Sequence, residues 1–187
     1  RNFSLQEDLA KHTCRMLEFN SELVTLNFDS NSVGDEGAVL FANVLEGKNM
    51  TLRHLSLAAN HIGVRGAESL ASALIRRTNL ESLNLSNNRV HDDGAKAFGA
   101  ALTRNKMLKS LNLKYNGVGD RGLAEIANGM NENSSLVELK LWGNKFGRLS
   151  ASDFLGLLES RFEYFGVRLD FLPFIVDEEV QVAELGN

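Results

Sequence analysis

The sequence predicts an α/β solenoid in which short parallel strands alternate with helices, and two observations support this prediction. First, five segments align without gaps, at a spacing of 29, 28, 28 and 28 residues; they begin at Leu23, Leu52, Leu80, Leu108 and Leu136. Second, each segment reads L-x-x-L-x-L-x-x-N, with phenylalanine once in place of the third leucine, and precedes an apolar pattern of helical period. Self-similarity at such a period is typical of solenoid architectures.

The nine-residue segment predicts a strand, because the leucines at its fourth and sixth positions alternate with period two and so point to one face. The expected strands are centred near residues 26, 55, 83, 111, 139 and 168. The recurring asparagine follows each strand, where its side chain is expected to bond backbone groups of the turn. These asparagines therefore have a structural role: Asn31, Asn60, Asn88, Asn116 and Asn144.

The remainder of each unit predicts a helix, with expected starts near residues 35, 64, 92, 120 and 150. Asp35, Asp92 and Asp120 stand where a helix N-cap is expected. Glycine recurs at one register, which indicates close packing of the first helical turn against its neighbour: Gly37, Gly66, Gly94 and Gly122. One strand and one helix per unit give a horseshoe with a parallel sheet on the concave face and helices on the convex face.

The two ends depart from the repeat. Residues 1–22 fit the helical half of a truncated earlier repeat, and residues 23–163 hold the five repeats. Because the chain begins at Arg1, we expect it to be a piece of a longer protein. Residues 164–187 are predicted to hold a terminal strand, since three residues continue the register: Tyr164, Val167 and Leu169. The stretch from Pro173 either closes the core or forms an acidic tail.

Composition narrows the function classes. The net charge of −4 gives no basic field for nucleic acid or an anionic membrane. The apolar runs are too short to insert into a bilayer. The single cysteine, Cys14, favours an intracellular compartment; it is expected in a helix core slot, with a reactive thiol as the alternative. Asn-x-Ser/Thr sequons are interpreted as repeat-loop residues rather than glycosylation sites: Asn2, Asn49, Asn84 and Asn133.

Over residues 23–172 the repeat resembles the ribonuclease-inhibitor class of leucine-rich repeats. That class includes the sensor regions of NOD-like receptors, the GTPase-activating protein of Ran and ciliary repeat proteins. GAESLASALIRRTNLESLNLSNN resembles NOD-like receptor repeats and smaller repeat-only proteins equally, and VRLDFLPFIVDEEVQVAEL is similar to the closing segment of axonemal ones. The resemblance implies protein binding through the concave sheet or loop rims, in a cytoplasmic, cytoskeletal or axonemal setting. It does not imply ribonuclease inhibition, because such inhibitors are rich in cysteine.

Candidate binding residues lie on the exposed columns of the strands, since the leucines are committed to the core. The middle of this surface carries small polar residues, and large residues gather at one end: Lys114, Tyr115, Glu138, Lys140 and Trp142. Exposed aromatics beside cations are common anchors of protein interfaces. Trp142 keeps two interpretations, an anchor of the interface or a residue packed beneath the C-terminal cap.

The sequence does not favour catalysis, a metal or a cofactor. His61 and His91 lie in neighbouring turns, but no cysteine or carboxylate pair completes a metal set beside them. His54 near Ser82 and Ser110 lacks a pocket or oxyanion donors. Basic residues near helix ends form either a solvated face or a modest ridge for an acidic partner: Arg76, Arg77, Arg104, Lys106 and Lys109.

Two functions from different classes remain. The first is a non-catalytic protein-interaction scaffold within a larger intracellular assembly, either a receptor or a cytoskeletal or axonemal complex. The second is a regulator of a small GTPase, of the Ran-directed type. A GTPase activator would need an unpaired catalytic arginine on the concave columns. Arg53 is the one candidate, and its position in the repeat is half-buried, so the scaffold is favoured. The oligomeric state is not predicted.

Overall fold

The computed structural model describes residues 5–47, 49–76, 78–160, 166–176 and 179–185. Helices and strands alternate along this part of the chain. The helices are α1 (Leu5–Leu17), α2 (Gly34–Gly47), α3 (Val64–Ile75), α4 (His91–Arg104), α5 (Asp120–Glu132) and α6 (Arg148–Ser160). The strands are β1 (Thr25–Asn27), β2 (His54–Ser56), β3 (Ser82–Asn84), β4 (Ser110–Asn112), β5 (Glu138–Lys140), β6 (Arg168–Leu169), β7 (Phe171–Val176) and β8 (Glu179–Glu184).

Strands β1 to β6 form one parallel sheet in chain order, which confirms the predicted solenoid. Equivalent leucines stand opposite each other, so that Leu55 pairs with Leu83 and Leu83 with Leu111. The strand centres agree with the predicted positions, and each predicted helix start is within two residues of the observed one. Because neighbouring units keep one register, equivalent side chains form straight columns across the sheet.

The core lies between this sheet and the helices. Its sheet side is built from the strand leucines, of which Leu83, Leu111 and Leu139 are fully buried. Its helix side is built from the apolar stripes, with Phe41 and Phe98 as the largest members. Among the described residues, no helix is long and apolar enough to cross a membrane.

The asparagines after the strands form a continuous ladder, as predicted. The Asn60 side chain accepts bonds from the Asn31 and Val33 N–H groups and donates to the Phe28 and Ala58 carbonyls. Asn88, Asn116 and Asn144 repeat the arrangement one unit further each time. Each amide therefore ties the turn of one repeat to the turn of the next.

A second asparagine ladder, which the sequence analysis did not find, lies at the turns from helix to strand. Asn49, Asn105 and Asn133 each donate to carbonyls of the preceding unit and accept two N–H bonds from their own turn. Asn49 is only 4% exposed and Asn133 only 6%. Burial supports the interpretation of these two sequons as structural residues.

The aspartates of the helix starts cap the following helix rather than their own, which corrects the sequence prediction. Asp35 lies inside the first turn of α2, and its carboxylate accepts bonds from the N–H groups of Gly63 and Gly66 at the start of α3. Asp92 accepts in the same way from Gly119 at the start of α5. Adjacent helices stand side by side, so a first-turn carboxylate reaches the neighbour's unpaired N–H groups more readily than its own.

The recurring glycines pack as predicted, and two further glycines pack more closely still. A methyl group on Gly66 would lie 2.8 Å from the Ala38 Cβ of the preceding helix. A methyl group on Gly99 would overlap the Glu125 carbonyl, and one on Gly129 would overlap the Gly99 carbonyl. Helices α4 and α5 therefore touch backbone to backbone.

A helix lies at the N-terminal end of the described residues, before the first strand. Helix α1 buries Ala10, Cys14 and Leu17 against the core. Burial raises the pKa of the Cys14 thiol to about 12, so the thiol stays protonated and packs as an apolar group.

The C-terminal stretch closes the core as a hairpin rather than extending as a tail. β6 joins the parallel sheet, and β7 then pairs antiparallel with β8. Phe171 is completely buried, with its ring centroid 4.8 Å from those of Phe146 and Phe154. The predicted register residue Tyr164 lies outside the described residues.

Candidate functional site: the concave face and its C-terminal end

The middle of the concave face is occupied by polar residues that bond one another. The Ser56 hydroxyl donates to Asp29 Oδ1 at 2.5 Å, and the Asn84 amide donates to Ser56 Oγ at 2.9 Å. The Ala58 N–H group also donates to Asp29 Oδ1. Much of the hydrogen-bonding capacity here is used within the sheet, so this region offers a partner few free groups.

Tyr115 is a large, half-exposed aromatic side chain at the C-terminal end of the concave face. It follows β4 in a turn where φ is 54°, a left-handed conformation that bulky residues rarely adopt. The equivalent turn residues of the other four repeats are also left-handed: Ser30, Ala59, Asn87 and Gly143. A methyl group on Gly143 would overlap the Tyr115 ring. The ring therefore rests on glycine, and the side chain remains 50% exposed.

Lys114 lies beside this ring but is held from the other side by carboxylates. Its Nζ is 6.0 Å from the Tyr115 centroid, 3.4 Å from Asp170 Oδ2 and 3.9 Å from Glu184 Oε1. Asp170 is itself buried and accepts bonds from the N–H groups of Leu141 and Trp142. Lys114 is thus fixed where the last strands meet the hairpin.

Glu138 contacts charged and polar side chains of its own strand and of the two neighbouring strands. It accepts a hydrogen bond from Ser110 Oγ at 2.7 Å and forms ion pairs with Lys140 at 3.5 Å and Arg168 at 3.2 Å. The hydrogen bond from Ser110 and the two cations outweigh burial and hold the pKa of Glu138 below its usual range. The carboxylate is therefore ionised near neutral pH, and Lys140 is oriented by it.

Trp142 is half-buried and packs against the core. It also lines an open cleft of about 450 Å³ whose other residues include Phe146 and Arg148 on one side and Gln181 and Val182 of β8 on the other. The tryptophan therefore has features of both interpretations: it contacts the core next to the hairpin, and it remains accessible from a cleft.

The five predicted binding residues all lie at the C-terminal end of the concave face, and we call this set the aromatic end: Lys114, Tyr115, Glu138, Lys140 and Trp142. The sequence analysis missed Arg168 and the buried Asp170, which continue the strand columns of Glu138 and Lys140 respectively. Counting from Leu169 in the predicted register would have found both. It also missed Glu184, because nothing in a repeat pattern indicates how a terminal hairpin folds back.

The structure adds little support to a GTPase regulator, to a basic ridge for an acidic partner or to a metal site. Arg53 donates from Nη1 to the Asn79 carbonyl at 3.1 Å and lies 3.9 Å from Glu81. In the basic ridge, Arg76 pairs with Glu46 and Lys106 donates to the Glu132 carbonyl, whereas Arg77 is not among the described residues. Within the described ranges, no group of three or more His, Cys, Asp or Glu side chains is arranged to hold a metal ion.

Comparisons with known proteins agree with this architecture. The solved structure of leiomodin-1 actin-binding site 2 is similar, with a TM-score of 0.62 and 21% identity over 86% of this chain and 96% of that one. The tropomodulin C-terminal domain of Caenorhabditis elegans is similar with a TM-score of 0.61 and 17% identity, over 86% and 95%. At these identities the likeness concerns the fold. No curated protein sequence matches the chain significantly. The family model of the leucine-rich repeat matches residues 19–42, 48–71, 77–99 and 104–127, just over half of the chain. The chain therefore belongs to the leucine-rich repeat family.

Proposed function

We propose that this chain is a non-catalytic protein-interaction domain and that the aromatic end is its binding surface. The observation that carries the proposal is the half-exposed aromatic side chain of Tyr115 in this turn. A large aromatic side chain occupies a left-handed turn position where glycine or asparagine would be less strained. The turn is left-handed in all five repeats, so the conformation belongs to the fold, and what distinguishes this repeat is the half-exposed aromatic side chain placed there.

The neighbouring charges suit a binding surface of defined polarity. Lys114 and Lys140 are held by Asp170 and Glu138, so their positions are fixed before a partner arrives. Fixed side chains lose less conformational entropy on binding than mobile ones. Tyrosine and arginine are also enriched among residues that dominate binding energy, which favours a role for Tyr115 and Arg168.

The partner class follows from the same surface. An open sheet rather than a deep pocket suits a protein, and we place that protein in an intracellular assembly. The similar leiomodin-1 fragment is named as an actin-binding site. Actin is therefore the first candidate to test, within the broader proposal of a cytoskeletal or receptor scaffold. GTPase activation is the weaker alternative, because Arg53 is bonded to the backbone of the next repeat.

The test compares binding by the wild type and by Tyr115→Asn. Actin filaments and monomers are used first, by co-sedimentation and by fluorescence titration, and a quantitative affinity capture from cell extract follows. Loss of a true anchor weakens binding by about thirtyfold, because truncation of such residues costs about 2 kcal/mol or more.

Lys96→Ala serves as the control, since Lys96 is an exposed residue of α4 on the opposite, convex face. The proposal predicts partners that the wild type and Lys96→Ala capture equally and Tyr115→Asn captures poorly. If every captured protein binds the three variants alike, the aromatic end is not the interface. Failure of actin alone would exclude that partner and leave the surface in place.

A further inference from the structure

We propose that the cleft beside Trp142 binds a short extended peptide segment of the partner, which pairs with the free edge of β8 and presents acidic side chains to Lys145 and Arg148. The proposal rests on the protein-binding function above and specifies the chemistry of one part of the partner. It uses the loop rim next to the aromatic end, and the two surfaces share Trp142.

One wall of the cleft is a strand edge with unused hydrogen-bonding groups. The Leu185 N–H group donates to the Asp170 carbonyl at 3.0 Å, which identifies this pair as a hydrogen-bonded pair of the hairpin. Pairs alternate along an antiparallel ladder, so the pair formed by Pro173 and Val182 does not bond across the hairpin. The backbone N–H and C=O of Val182 therefore point to the outer edge of β8.

Nothing in the described part of the chain occupies that edge. The hairpin sheet contains β7 and β8 alone among the described strands, and no backbone group outside the hairpin bonds to Val182 there. Glu179, Gln181 and Val182 line the cleft, which places it along β8 rather than along β7. An exposed edge strand is a template for an added strand, and several peptide-binding domains use this mode.

The opposite wall of the cleft combines apolar surface with positive charge. Trp142 and Phe146 provide aromatic surface, and Ala151 of α6 adds a small apolar contact. Lys145 and Arg148 are exposed, and neither forms an ion pair with any residue that the structure describes. Most other cations near the aromatic end are already paired, so these two give the cleft its preference for an acidic segment.

Two carboxylates near the cleft limit its preference for an acidic segment. Asp120 lies near the start of α6, but its carboxylate accepts bonds from the N–H groups of Gly147, Leu149 and Ser150. Glu179 lines the cleft from the β8 side and is exposed. The acidic side chains of the peptide are therefore expected on the α6 side of the cleft, with an apolar side chain on Trp142.

The experiment uses a blocked peptide in which glutamate and valine alternate, and a control peptide with lysine in place of glutamate. Trp142 is the only tryptophan of the chain, so its fluorescence reports directly on the cleft. The acidic peptide should change the emission saturably, and the lysine peptide should not. Hydrogen exchange should show slower exchange of the Val182 amide when the acidic peptide is bound.

Two variants separate the edge from the charges. Val182→Pro removes the outward N–H while leaving the cross-hairpin bonds intact, and Val182→Thr is its matched control with the N–H retained. We expect Val182→Pro to bind the acidic peptide about tenfold more weakly than Val182→Thr, because one backbone hydrogen bond is lost. Lys145→Glu combined with Arg148→Glu should weaken binding by about tenfold or more.

Three results would overturn the proposal: equal binding of both peptides, no binding of either, or an unchanged exchange rate at Val182 in the complex. The exchange measurement uses the wild type and so does not depend on the folding of Val182→Pro. If a partner captured by the wild type is lost with Tyr115→Asn but retained with Val182→Pro, the protein-binding function stands and the peptide cleft is rejected.

Discussion

At the scale of single residues, Asp120 shows how one side chain serves the neighbouring repeat. It lies in the first turn of α5, yet its carboxylate accepts bonds from Gly147, Leu149 and Ser150 at the start of α6. Burial acts to raise the pKa of Asp120, but the bonds from Ser150 and from the backbone N–H groups outweigh it, so the pKa lies below its ordinary value. The ionised form is therefore the one that stabilises the fold.

Asp120→Asn should lower the free energy of unfolding by about 1 kcal/mol at pH 7, because the carboxylate accepts through both oxygens and carries charge, whereas the amide has one acceptor oxygen and no charge. The stabilisation by Asp120 is fully present above its ordinary pKa of 3.8 and is lost as the pH falls through the lowered native value. The difference between wild type and variant should therefore shrink on acidification.

Urea unfolding of both proteins at several pH values measures this difference. The pKa of Asp153 is shifted in the opposite direction, because burial and the charge of Asp120 raise it, so both proteins also carry Asp153→Asn to remove that contribution. A difference that is absent at pH 7, or that grows below pH 4, would contradict the role assigned to Asp120.

At the scale of elements, the contact between α4 and α5 depends on glycine. Gly99 and Gly129 stand where a side chain would overlap the backbone of the facing helix. Gly156 lies in α6 with nothing within 4 Å of an added methyl group. Glycine lowers helix stability relative to alanine. It is therefore favoured at Gly99 and Gly129, where no side chain fits, and unfavourable at Gly156, where a methyl group would fit.

Gly129→Ala and Gly156→Ala should therefore have opposite effects. The first should lower the free energy of unfolding by about 1–3 kcal/mol, because the two helices must move apart. The second should raise it by about 0.4–1 kcal/mol, because alanine reduces the entropy of the unfolded chain. Denaturant unfolding of the two variants provides the measurement, and effects of the same sign would show that the helix contact is described incorrectly.

The sheet side of the core gives a further prediction at this scale. Leu83 and Leu111 occupy equivalent positions on β3 and β4, and both are fully buried. Leu83→Ala or Leu111→Ala should lower the free energy of unfolding by about 2–5 kcal/mol through cavity formation. Melting temperatures within a degree or two of the wild type would contradict the inward orientation of these leucines.

At the scale of the whole molecule, the repeats and the sixth strand could be predicted from the sequence, whereas the hairpin of β7 and β8 could not. Leucine columns and asparagine turns recur, so each unit predicts the next, down to the strand centres. The aspartate caps were assigned to the wrong helix, because a linear pattern does not show which helix a side chain reaches. The hairpin occurs once, and its contact through Glu184 with Lys114 follows from chain reversal rather than from repetition.

The candidate site contains some features that the sequence predicts and others that it does not. The position of Tyr115 on the concave face followed from its column, but the sequence pattern did not indicate its left-handed backbone or its packing on Gly143. Trp142 was open to two interpretations, and the structure gives it contacts with the core as well as access from the cleft. Truncating Trp142 therefore mixes stability with binding, whereas Tyr115 can separate them.

If Tyr115 is retained for binding and not for folding, as we propose, replacing it should not reduce the stability of the fold. Urea unfolding is measured for the wild type, Tyr115→Asn and Tyr115→Ala. Asparagine tolerates the left-handed turn better than tyrosine or alanine, and a left-handed residue with a side chain carries a strain of about 1–2 kcal/mol. Tyr115→Asn should therefore be at least as stable as the wild type and more stable than Tyr115→Ala. A loss of more than about 1 kcal/mol in Tyr115→Asn, well beyond the few tenths typical of surface substitutions, would make the tyrosine a structural residue and contradict the account.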